Sequence, residues 1–169
     1  MYFRQMKSWI GLFILMLSGC IVNSEEAQKH NNLIMVAQER VVNAFYQCDS
    51  SLTDSTGYRM LYWEYDSIQW NLQQMTQLLD TIYCPDDDSS LKCAARDFIA
   101  SSATLREQDY PLFLDAYRKY QALGSKEDSL VMIQYWLSIS QKKEKIISDF
   151  RLKQKDYFDE YNLVEHTLH

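Results

Sequence analysis

Apolar residues recur at steps of three and four through most of the chain, and four segments carry the recurrence far enough to form helices. The sharpest spans residues 58–83, where Leu61, Tyr65, Ile68, Leu72, Met75, Leu79 and Ile82 alternate steps of four and three. That alternation is the seam of a helix packed against neighbours. An earlier helix, over 26–47, places Leu33, Ala37, Val41, Ala44 and Cys48 on one stripe. A third starts near Ser89 with Leu91, Ala95, Phe98, Ser102 and Leu105 facing inward. Pro111 has no N–H to give to a helical ladder, so this helix should kink or split near Asp109. The pattern then resumes with Phe113 or Leu114, Tyr117 and Tyr120. Gly124 ends it, and Ser125 caps a fourth helix over 126–163. The apolar residues of that long helix (Leu130, Ile133, Leu137, Ile147, Phe150, Phe158, Tyr161) are interrupted by charge between Lys142 and Lys145. Its C-terminal half is therefore expected to project beyond the other three helices. Short connections make successive helices antiparallel, so the expected fold is all-α: an up-down antiparallel four-helix bundle with a long C-terminal helix.

Composition agrees with helix. Only four Gly and two Pro are present in 169 residues, too few for many hairpin turns or long loops, while good helix formers are plentiful. Residues 33–169 read as a single helical domain, long enough to bury a real core.

The N-terminus follows a different logic. Arg4 and Lys7 precede the apolar run 9–17 (WIGLFILML), which has the length of a signal-peptide core and is too short to span a bilayer. It ends in Leu17-Ser18-Gly19-Cys20. An aliphatic residue, two small residues and a cysteine resemble the lipobox of bacterial lipoproteins. The resemblance implies a signal peptide over 1–19, a lipid on the Cys20 thiol, and a lipidated N-terminus and tether over 20–32. The alternatives are an ordinary secretory leader that leaves Cys20 bare, and a first helix that begins at Ser24-Glu25-Glu26 instead of after a tether. In the lipoprotein class an Asp after the cysteine commonly retains the product in the inner membrane. Ile21 here favours the outer membrane, on its periplasmic face.

Removing the leader takes away two positive charges and no negative ones, leaving 15 Lys and Arg against 23 Asp and Glu, a net charge of −8. That excess argues against a nucleic-acid partner and against a domain lying flat on anionic lipid. The expected contact with membrane is through the lipid anchor alone.

Three cysteines remain after Cys20. Cys84 ends the second helix and Cys93 lies in the first turn of the third, at one end of the bundle, so the two can form a disulfide in an oxidising compartment. Cys48 stands at the other end of a helix roughly 35 to 40 Å long and is left unpaired within the chain, either buried or available for an intermolecular bridge. No pair of cysteines has zinc-ligand spacing. His30, His166 and His169 stand near the ends of the mature chain, where neither a Cys–His nucleophile pair nor a metal site is expected. Asp86-Asp87-Asp88 reads as a turn and favourable acid at a helix start. Glu64 with Asp66, and Glu107 with Asp109, are two residues apart on a helix and point different ways. No enzyme activity and no cofactor beyond the covalent lipid are expected.

Two features suggest a protein partner. With Leu61 at zero and a turn of about 100° per residue, Trp63 and Trp70 fall roughly opposite the seam of the second helix. Either another helix covers them, or they form a partner-binding patch with Tyr58 and Tyr62 close by. Lys142, Lys143, Lys145, Arg151, Lys153 and Lys155 form a local basic excess among Glu144 and Asp149, available to an acidic partner, to lipid headgroups or, equally simply, to the acidic residues of the other helices. The expected function is that of a membrane-anchored, non-enzymatic, protein-binding accessory factor of the cell envelope. Small lipoproteins of this kind include pilotins and assembly factors of secretion machines. The alternative is a periplasmic immunity protein whose acidity neutralises a toxin.

Overall fold

The computed structural model describes residues 24–53, 58–82, 90–161 and 163. The helices are α1 (Ser24–Thr53), α2 (Tyr58–Thr81), α3 (Ser90–Thr104), α4 (Tyr110–Leu123) and α5 (Lys126–Tyr161). A π-helical turn, Leu105–Asp109, joins α3 to α4, so the two form one continuous rod. The molecule is an up-down antiparallel four-helix bundle, and no strand occurs among the described residues. α1 starts at Ser24, so the 20–32 stretch is helix from that residue on. The proposed leader, Cys20, Cys84, Asp86 to Asp88 and the two C-terminal histidines lie outside the described residues, as does the pairing of Cys84 with Cys93.

The seam of α2 is buried along its length: Leu61, Ile68, Leu72, Met75, Leu79 and Ile82 are in the core, and Tyr65 packs against it. All five expected inward residues of the third rod are buried. α1 departs from expectation at Leu33 alone. Val41, Ala44 and Cys48 are buried as expected and Ala37 packs against the core, but Leu33 is exposed, and Ala27, Asn31, Ile34, Gln38 and Phe45 share the buried face. Asn31 holds a core position because its Oδ1 accepts a 3.0 Å bond from the buried amide of Gln154 on α5, which offsets the desolvation of both side chains.

The π turn is the local answer to Pro111. The Tyr110 N–H donates to the Leu105 carbonyl, five residues back, and in that register the next carbonyl, Arg106, would need a proton that Pro111 lacks. Tyr65 on α2 supplies it, its hydroxyl donating to the Arg106 carbonyl at 3.2 Å. The Arg106 guanidinium in turn lies 4.2 Å from the centre of the Tyr65 ring and 3.6 Å from Asp66. The rod passes the proline without breaking, and its irregular turn is clasped to α2.

Gly124 closes α4 in the left-handed conformation, with φ 64°, and donates its N–H to the Tyr120 carbonyl at 2.8 Å. The Ser125 hydroxyl then accepts the Asp128 N–H at 3.0 Å, capping α5 as its sequence predicts.

α5 departs furthest from expectation. Its buried residues are Ile139, Lys143, Ile147, Phe150, Gln154 and Tyr157, so the C-terminal half is the part packed in the bundle and the N-terminal half projects. Leu130, Ile133 and Leu137, expected to face inward, are exposed, and Phe158 yields its core place to Tyr157. The charge at 142–145 does not break the seam, because Lys143 is buried and paired with Asp49 of α1.

Candidate interaction surface

α2 presents its seam to the core and its opposite face to solvent. Trp63 is 68% exposed and Trp70 is 56% exposed, so no other helix covers them. They stand seven residues apart, about two turns and roughly 10 Å along the helix. From Ser67 to Leu79 the sequence carries no charge, and Gln69, Asn71, Gln73, Gln74 and Gln77 supply amides around Trp70. Trp70 is thus set in an uncharged stretch of a strongly acidic molecule, while Trp63, two turns nearer the start of α2, has Glu64 and Asp66 beside it. Isolated apolar residues on a surface are ordinary, but two uncovered tryptophans on one helix face are the side chains most enriched at binding hot spots. Tyr62, on the same helix, is 42% exposed, with its ring edge-on to Tyr65 at 6.4 Å. It borders a shallow groove of about 260 Å³ with Pro111, Leu114 and Arg118. The backbone of Tyr58 begins α2, and its side chain lies outside what is described.

The basic excess on α5 is largely absorbed by neighbouring acids. Lys143 binds the Asp49 carboxylate with its ammonium 4.6 Å from the Tyr46 ring centre, and Asp49 also accepts from the Tyr110 hydroxyl at 3.3 Å. Lys142 meets Asp109 at 2.6 Å, and Lys145 meets Asp149 at 2.6 Å. Lys153 lies 3.9 Å from Asp156. Lys142 and Lys143 thus pair with acids of other helices, and Lys145 and Lys153 with acids of α5 itself. Asp66 pairs with Arg106 and Asp109 with Lys142, so one member of each closely spaced carboxylate pair, Glu64 with Asp66 and Glu107 with Asp109, is held in an ion pair.

Cys48 is buried at the upper end of α1. Burial, with the neighbouring Asp49 carboxylate next in weight, pushes its thiol up to about 12, which keeps the sulfur protonated and unreactive. Among the described residues, no three His, Cys, Asp or Glu side chains come together as a metal site would need. None of the helices described is long and apolar enough to cross a membrane. No protein-family model, curated protein or solved structure matches this chain.

Sequence reasoning missed a second apolar surface. The paired ends of α4 and α5 extend beyond α1, and Leu123, Leu130, Val131, Ile133, Trp136 and Leu137 are all exposed there. Its signal was available: Ser129 to Gln141 contains no charged residue. A helix in solvent ordinarily carries charge on its outer face.

Proposed function

We propose that this chain is a membrane-anchored bacterial lipoprotein that acts as a non-enzymatic, protein-binding accessory factor of the cell envelope. The observation that carries the binding role is the pair of uncovered tryptophans, Trp63 and Trp70, on the outer face of α2. The anchoring role rests on the lipobox resemblance of Leu17-Ser18-Gly19-Cys20. Two or three acyl chains hold a protein on a bilayer for long periods, so the helical body is free to use its surface for recognition.

α1 begins four residues after Cys20 and passes Gln154 of α5 early in its course. An anchor on Cys20 thus belongs to the end of the bundle where α1 starts. Recognition of a protein by the two indoles, of which Trp70 lies in an uncharged stretch, fits the acidity of the rest of the molecule, which repels acidic surfaces and anionic lipid. The test is a pull-down of the full-length chain from crosslinked membranes. A partner recovered with the wild type should be lost, or reduced at least tenfold, with Trp63→Ala and Trp70→Ala combined. Equal recovery would remove the indole strip from the binding role.

A further inference from the structure

We infer that the uncovered face of the α4–α5 hairpin, formed by Leu130, Ile133, Trp136 and Leu137 of α5, is the docking surface for a second copy of this chain. The face continues, turn for turn, the surface that α1 covers lower down. Trp136 stands one heptad before Lys143, which binds Asp49 of α1. Leu137 stands one heptad before Glu144, which accepts a 3.1 Å bond from Tyr46 of α1. Residues a heptad apart share a face of a helix.

α1 ends at Thr53, one turn past Asp49. Ile139, one turn above Lys143, is accordingly the first buried residue of α5. Above that level α4 and α5 keep a helix-packing face that α1 no longer reaches. Each of the four side chains is more than a third exposed, and Leu123 at the turn is 74% exposed. Scattered single apolar side chains are ordinary on a surface, whereas four large ones on one helix face within a stretch free of charge, residues 129–141, are the kind of patch that marks an interaction site.

The geometry favours a copy of the same hairpin as occupant. Lower in the molecule, the α5 rod and the α3–α4 rod are completed into a four-helix core by another helical hairpin, α1–α2. A second α4–α5 hairpin supplies two helices of the same kind, and a two-fold contact lets one patch complement itself. Charge permits the approach at this site. Residues 115–138 hold three positive and three negative side chains, whereas the whole chain carries a net −6. Two acidic molecules meet with least repulsion through their neutral ends. Membrane lipid fits less well for the copy's own anchor: Gln154, level with the start of α1, is 28 residues from Lys126 along α5, roughly 40 Å at helical rise.

The inference is independent of the indole strip on α2. It is tested with the full-length chain in the expressing cells, carrying Ile133→Cys and treated with a bis-maleimide, followed by denaturing gel and intact mass measurement. A covalent species of twice the chain mass is expected. It should be absent with Glu39→Cys, on the exposed side of α1, and reduced at least tenfold when Leu137→Glu is added to Ile133→Cys. Circular dichroism of the purified variants checks that the helices persist. An adduct whose mass corresponds to a different protein would overturn the inference in favour of a foreign partner. Monomer alone, in a chain that folds, would overturn self-association outright.

Discussion

Lys143 shows how one residue can reverse the reading of a segment. In the sequence it belongs to a run of lysines and looks solvated, yet it is 4% exposed, its ammonium held by Asp49 and the face of Tyr46. Nothing local to α5 signals this, because the partner lies 94 positions away. The same holds for Asn31, whose place in the core depends on Gln154. Removing one member of a buried ion pair leaves the other without compensation and costs about 3 kcal/mol or more, whereas replacing both by apolar groups costs much less. Lys143→Met should therefore lower stability by about 3 kcal/mol in urea unfolding, and adding Asp49→Leu should recover at least half of that loss. Additive losses would show that the two charges do not act as a pair. At Cys48, the raised thiol pKa and full burial predict no iodoacetamide adduct in the folded chain at pH 8, with complete labelling once urea unfolds it. Fast labelling of the folded chain would contradict the packing of α1.

Helices were legible where one face is apolar and the neighbours are conventional. The α2 seam and the inward face of α3 follow from spacing alone, and so do the Gly124 and Ser125 boundary signals. Pro111 marked an irregularity at the right place, but its form, a π turn with the orphaned Arg106 carbonyl satisfied by Tyr65, depends on a residue from another helix. α5 was misread because its apolar residues serve two surroundings: those from Ile139 onward face the bundle, and those before it face solvent. Periodicity reports a sticky face without saying what covers it. The cap between α4 and α5 offers a clean check. A Cβ at Gly124 would meet nothing within 4 Å, so Gly124→Ala should cost only the left-handed backbone, about 1 kcal/mol, read as a lowered unfolding midpoint with unchanged helix content. A loss several times larger would mean that the turn is packed against something else.

Taken whole, the molecule has a bundled end, where α1 begins, and a free end, where the α4–α5 hairpin extends past α1. Its acidity is distributed unevenly, with neutral stretches on α2 and on the hairpin where indoles stand exposed. This polarity suits a protein held to a membrane at one end while its sides and tip engage other proteins. Helical phase pointed to the exposed Trp63 and Trp70; the hairpin surface emerged only once the relative lengths of the rods were known, and the proposed membrane address rests on the lipobox resemblance of residues 17–20. The account depends most on the anchor, since a tethered docking module requires a tether. Mass spectrometry of the N-terminal peptide from protein purified out of membranes tests it most directly. The account predicts a peptide that begins at Cys20 and carries diacylglycerol on its thiol, with a further acyl chain on its amino group. A peptide that retains the leader, or one with an unmodified Cys20 from protein found free of membranes, would contradict it.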